Sequence, residues 1–138
     1  MNITSTIVRR VVTINENRSV FEAAKLMTEE FIGWLVVTNA TGIHGLLTER
    51  ELIKNVVGQG KDPEKVKIKD TITPNPLRVS PTVDASHCLD LMKKHHCRHQ
   101  LVYEGEEFVG IVSVRDLVVL LLAEKEELIR QLERYITS

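Results

Sequence analysis

GIVSVRDL, residues 110–117, is written earlier in altered letters as GLLTEREL, residues 45–52. Gly, Arg and Leu recur in place, Thr48 answers to Ser113, and Glu51 answers to Asp116. The shift of 65 residues that superposes them also lays Ile14 on Val79, Leu26-Met27 on Leu91-Met92 and Val36-Val37 on Leu101-Val102. From Val12 to Leu52 strict identity is confined to Leu26, Met27, Val37, Gly45, Arg50 and Leu52, so the letters alone are weak. The stronger sign is that one shift aligns every apolar block without a gap, which marks an internal repeat.

Each copy predicts the order β-α-β-β-α. A short extended segment (11–14; 77–79) precedes a helix start. Ser19-Val20-Phe21-Glu22 has capping-box spacing, and Asp84 stands at the matching N-cap. Apolar residues then fall at helical intervals: Val20, Ala23, Ala24, Met27 and Phe31 in one copy, Ala85, Cys88, Leu89 and Met92 in the other. The strands at 34–38 and 100–103 are too continuously apolar to have one wet face and predict burial on both. Residues 39–42 and 104–107 read as hairpin turns returning into strands at 43–47 and 108–112. The two quoted junctions then open a second helix each.

Residues 58–76, rich in Gly, Pro and Lys, read as a connector with one helical turn around 66–72. The fold class is therefore α/β (α+β), with a first repeat in 1–62 and a second in 63–138. The second carries a long amphipathic helix over 117–136, with Leu117, Leu121, Leu128, Leu132 and Tyr135 on one stripe. That stripe either packs on its own module or pairs with a second subunit.

Composition narrows the function. The chain has 138 residues, 43% of them hydrophobic, enough for one ordinary domain or two small units sharing a core. Charged residues make up 27% and nearly cancel, leaving a net charge of -1, which disfavours a nucleic-acid binder. MNITSTIVRRVV lacks the basic, apolar and small regions of a signal peptide. The longest apolar run, 117–123, falls far short of the roughly 20 residues a spanning helix needs. Two cysteines, Cys88 and Cys97, make no disulfide framework, and a reduced cytoplasmic setting is expected.

The order β-α-β-β-α, with VFEAAKLM and HCLDLM, RHQLV, GLLTEREL and GIVSVRDL, resembles a tandem pair of CBS domains, the cystathionine β-synthase type of regulatory module. The resemblance covers roughly residues 8–125. It implies two repeats packed through their sheets in pseudo-twofold fashion, with clefts that take adenine nucleotides or related adenosyl ligands.

Thr48-x-x-Glu51 and Ser113-x-x-Asp116 first fit capping boxes. A helix N-terminus can also offer N–H groups to an anion, so capping and binding are compatible. By the resemblance, Asp116 accepts the ribose hydroxyls, Ser113 meets phosphate or ribose, and Arg115 meets phosphate. A carboxylate suits a vicinal diol because it brings two acceptor oxygens to two donors. The adenine would lie against the segments Thr73-Pro74-Asn75-Pro76-Leu77 and Arg98-His99-Gln100-Leu101. His99 would face phosphate, and Gln100 stands where the family commonly has Leu.

The first copy departs from the pattern, because Glu51 is longer than Asp by a methylene. A weaker site is expected there from Arg9, Arg10, Val12, Trp34, Leu35, Thr48, Arg50, Glu51 and Lys54, with Trp34 either stacking on a base or packing in the interior.

The densest group of ligand-type side chains is Lys93-Lys94-His95-His96-Cys97-Arg98-His99, with His87 and Cys88 upstream. Consecutive His95, His96 and Cys97 diverge in direction, and no second ligand pair stands at zinc-finger distance, so no metal is expected. No nucleophile elbow or P-loop appears, so an enzyme with a catalytic cofactor is not expected. The expectation is a non-catalytic regulatory module. It would bind AMP, ADP, ATP or a related ligand, form a homodimer and signal to a separate effector protein. The alternative is a constitutive interaction scaffold in which the hydroxyl–carboxylate pairs are caps only.

Overall fold

The computed structural model describes residues 1–72 and 77–137. In chain order, β1 (Thr13–Asn15), α1 (Val20–Glu30), β2 (Trp34–Asn39), β3 (Gly42–Thr48) and α2 (Glu49–Asn55) form the first repeat. The second repeats the order as β4 (Arg78–Val79), α3 (Ala85–Lys94), β5 (His99–Glu104), β6 (Glu107–Ser113) and α4 (Val114–Thr137). Each repeat holds a three-stranded sheet, β1-β2-β3 or β4-β5-β6, whose first pair is parallel and second antiparallel. The mixed α+β class follows, with two small sheets and a long C-terminal helix.

The 65-residue correspondence extends to irregular features. A bulge falls between Val37 and Thr38 in β2, and between Val102 and Tyr103 in β5. Among the described residues, the two non-glycine residues with positive φ, Phe31 (56°) and His96 (52°), sit at matching places after α1 and α3. Each helix starts as its cap residues require. Ser19 Oγ accepts from the Glu22 N–H, and the Asp84 carboxylate accepts from the Ser86 N–H.

Each repeat closes its own core between helices and one sheet face. Ala23, Met27, Leu35, Val37 and Leu47 pack in the first, and Ala85, Cys88, Met92, Val102, Val112 and Leu117 in the second. The central strands are buried on both faces: Leu35, Val36 and Val37 lose all exposure, and so nearly do Gln100, Leu101 and Val102.

The segments leading into the repeats change places. Residues Met1–Arg10 form one compact unit with the chain from Leu77 onward, while a second unit begins at Val11. Ile3 is fully buried in the second-repeat core, and its N–H donates to the Val83 carbonyl. Ile68, 65 positions later, is fully buried in the first-repeat core, and its N–H donates to the Arg18 carbonyl. Even the bridges match, Asn2 with Asp84 and Lys67 with Ser19. Part of what reads as a connector is thus core: Ile68–Asp70 forms a short 3-10 helix with Ile68 and Ile72 beneath it.

Candidate functional site

The junction from β6 to α4 builds the site. Strand pairing holds Ser113 opposite His99, and the Val114 N–H donates to the Arg98 carbonyl, which turns the chain into the helix. Ser113 Oγ then accepts from the Asp116 N–H at 3.2 Å and donates to Asp116 Oδ2 at 2.8 Å. This uses one carboxylate oxygen. Oδ1 takes no hydrogen bond among the described residues and remains available as an acceptor.

Asp116 is half-buried and lines a groove of about 480 Å³ with Ser5, Thr6, Ile7, Val8, Val119, Leu120 and Ala123. The groove wall is the exchanged N-terminal segment. Val8 makes reciprocal hydrogen bonds to Ile111 at 2.8 and 3.0 Å, adding a short rung to the free edge of β6. Gly110 permits this approach, since a β-carbon there would stand 2.3 Å from the Val8 carbonyl oxygen. One carboxylate and the hydroxyls of Ser5 and Thr6 thus line an otherwise apolar recess, a chemistry suited to a polyhydroxylated ligand with an apolar ring.

The remaining candidates divide by strand alternation. His99, Leu101, Ile111 and Ser113 share one sheet face; Gln100 and Val102 point the other way, toward α3. Gln100 is buried there, its Oε1 accepting from Cys88 Sγ at 3.2 Å and its Nε2 lying 3.9 Å from Cys97 Sγ. Burial pushes the Cys88 thiol up to about 11, with the Cys97 thiol adding to the shift. Arg98 and Arg115 are exposed, and half-buried Leu77 is not among the groove residues. Thr73, Asn75 and Pro76 lie outside the described residues.

The first copy is arranged differently. Glu51 reaches back to complete a capping box: its Oε2 accepts from the Thr48 N–H at 2.8 Å and from Thr48 Oγ1. The longer side chain thus satisfies a backbone donor that Asp116 does not engage. Trp34 lies opposite Thr48 across the strands, while Leu35 and Val12 pack with the helix-side core. Arg50 and Lys54 are exposed, and Arg10, also exposed, belongs to the other compact unit. A groove of about 510 Å³ in this repeat lies around Met27, Phe31, Glu49 and Leu52, with Glu49 as its one charged lining residue.

Ser5, Thr6, Ile7 and Val8 are groove residues that the sequence reading did not single out. The signal was present: Ile3 and Ile68 obey the same 65-residue shift, extending the repeat into both lead-in segments. No group of three or more His, Cys, Asp or Glu among the described residues is disposed to hold a metal ion. No helix among them is long and apolar enough to cross a membrane.

Comparison with known proteins agrees with this architecture. The chain is 28% identical over 123 residues to the mitochondrial CBS domain-containing protein CBSX3 of Arabidopsis thaliana, covering 86% of this chain and 60% of that protein. It is 25% identical over 118 residues to the CBS domain-containing protein YhcV of Bacillus subtilis, covering 86% of this chain and 84% of the relative. The crystal structure of a CBS-domain containing protein from Agrobacterium tumefaciens superposes with a TM-score of 0.74 at 34% identity, over 80% of this chain and 83% of that one. The CBS domain model itself matches twice, at residues 3–58 and 68–123, each match starting at one of the exchanged isoleucines. With both matches together spanning most of its length, the chain belongs to the CBS domain family.

Proposed function

We propose that this CBS pair is a non-catalytic regulatory module that binds an adenine nucleotide, AMP, ADP or ATP, or a related adenosyl ligand through its second repeat. CBS pairs are generally regulatory modules and often bind nucleotides, which supplies the class. The observation that carries the reading is the contrast between two equivalent carboxylates. Asp116 lines a groove with one oxygen unengaged, whereas Glu51 closes on Thr48. Asp116 takes the ribose hydroxyls, with Ser113 and the first turn of α4 beside it for phosphate. Leu77, His99, Leu101 and Arg115 complete the contacts, with Thr73, Asn75 and Pro76 assigned to the same site on family resemblance. Gln100 supports the strand from behind. Arg10, Val12, Trp34, Leu35, Thr48, Arg50, Glu51 and Lys54 form at most a weaker second site.

The module acts in a reducing, cytoplasmic setting as a homodimer and signals to a separate effector protein. A ligand shifts its conformational equilibrium only by its differential affinity for the two states. The test is a melting series with AMP, ADP, ATP, NADH and S-adenosylmethionine. A ligand at about 100 times its dissociation constant stabilises by about 2.7 kcal/mol. Asp116→Ala should leave the chain folded, with only the small cost of the Ser113 bond, and weaken binding at least about tenfold, as expected for losing hydrogen bonds to a charged acceptor. No shift with any of the five would leave the scaffold reading in its place. An Asp116→Ala variant that binds normally would take Asp116 out of the site.

A further inference from the structure

Three interior positions of the second repeat depart from the first together. The 65-residue shift lays Cys88 on Ala23, Cys97 on Ile32 and Gln100 on Leu35. In the first repeat all three are apolar packing. In the second they engage one another: Gln100 Oε1 accepts from Cys88 Sγ at 3.2 Å, and Gln100 Nε2 donates to Cys97 Sγ at 3.9 Å. Thiols are weak partners for an amide that is 1% exposed, and the first repeat shows that the same fold closes without them. The fold does not demand this network. Its particular content is two thiols bridged by one side chain.

The two thiols differ as the members of a redox pair do. Cys97 is half-buried, stands between exposed His96 and Arg98, and follows exposed Lys93 and Lys94, with no acid anywhere in 91–103. Partly exposed thiols in cationic surroundings are the ones that peroxides oxidise. Cys88 is fully buried and kept protonated by that burial, so it is reached from within. Cys97 folds back over the end of α3, its N–H donating to the Met92 carbonyl, and Met92 lies one turn from Cys88 on the same helix face. The turn that must move to bring the sulfurs together, 95–97, is mostly exposed and carries His96 at a φ of 52°. We propose that Cys88 and Cys97 form a reversible disulfide that displaces Gln100 and loosens the Asp116 site. Hydrogen peroxide converts the Cys97 thiol to a sulfenic acid and is itself reduced to water; the Cys88 thiol then condenses with the sulfenic acid, forming the S–S bond and releasing a second water. A dithiol reductant, itself oxidised to a disulfide, restores both thiols. In a reducing compartment such bonds are transient and serve sensing. The path to the site is short. After Cys97 comes Arg98, whose carbonyl accepts the Val114 N–H at the start of α4, and then His99, paired across the strands with Ser113. Drawing Cys97 toward α3 pulls on the contacts that position Ser113 and Asp116. The regulation rests on the nucleotide reading above, whereas the disulfide does not.

The full chain, reduced and then treated with hydrogen peroxide, tests it. Its intact mass should fall by two hydrogen atoms, and tryptic cleavage at Lys93 and Lys94 should leave the peptides of Cys88 and Cys97 joined. Hydrogen exchange at the Val114 amide should quicken. Affinity for whichever of AMP, ADP, ATP, NADH and S-adenosylmethionine binds the reduced chain should fall about tenfold, a usual size for coupled sites. Dithiothreitol should reverse all of these. Cys97→Ser should bind the ligand as wild type does and ignore peroxide. Cys88→Ala, which copies Ala23 of the first repeat, should stop at a sulfenic acid that dimedone traps. Absence of the Cys88–Cys97 bond, or a bond between chains in its place, overturns the redox pair. A Cys88–Cys97 bond that leaves Val114 exchange and ligand affinity unchanged overturns its action on the site. A reduced chain that binds none of the five ligands overturns the nucleotide reading and the regulation with it, while the bond and the Val114 exchange still decide the redox pair.

Discussion

At Gly110 a single hydrogen atom decides what lies beside β6. The Val8 carbonyl and the Ile7 side chain occupy the space a β-carbon needs, and the Val8 contact is with backbone, which cannot swing aside. Gly110→Ala should destabilise the chain by about 1–3 kcal/mol in urea unfolding, as overpacking does. It should weaken nucleotide binding as well, because the displaced segment is a wall of the Asp116 groove. Stability and binding equal to wild type would mean that the N-terminal segment does not lie there. Cys88 offers a second test. Burial raises its thiol from 9.0 to about 11, so the fold favours the protonated form and the unfolded chain loses its proton first. Stability from this residue is complete below about pH 9 and falls as pH rises toward 11. Cys88→Ser keeps a donor for Gln100 but does not titrate in this window, so its unfolding free energy should decline less steeply there. Parallel slopes would show that Cys88 titrates alike in both states.

Caps and turns carry the next level. Ser19 holds the Glu22 N–H at the start of α1, and Ser19→Ala should cost about 1 kcal/mol of stability by chemical denaturation. An unchanged midpoint would show water replacing that bond at no cost. These elements were legible in the sequence because their causes are local: cap residues, helical spacing, continuous apolar strands and turn residues all lie within a few positions of what they specify. The C-terminal helix extends the predicted 117–136 only by its first turn and one final residue. The lead-in exchange was not legible in the same way. Ile3 and Ile68 announce a buried side chain, but nothing near them in the chain says which repeat buries it. That choice is made by distant partners such as Val83 and Arg18, whose carbonyls accept the two isoleucine N–H groups.

The whole molecule inherits an asymmetry from one methylene group. The pairing of Ser113 with Asp116 and of Thr48 with Glu51 was readable from spacing, as was the departure at Glu51. The sequence did not reveal that Glu reaches its own helix start while Asp leaves an oxygen unengaged, because that depends on side-chain reach at a fixed cap geometry. Nor did it show that Ser5 to Val8 line the Asp116 groove, since that follows from the exchange. If the completed box removes Glu51 from ligand duty, the two repeats are unequal in binding while alike in fold. Calorimetric titration with the best ligand of the melting series should then give one equivalent per chain. Glu51→Ala should leave that stoichiometry and affinity within about threefold, while losing up to about 2 kcal/mol of stability with the cap. Asp116→Ala should remove the measurable equivalent while the chain stays folded, at only the small cost of the Ser113 bond. Two equivalents of similar affinity in the wild type would show that the Glu51 box opens at little cost. A loss of the single equivalent in Glu51→Ala, with Asp116→Ala still binding, would move the working site to the first repeat.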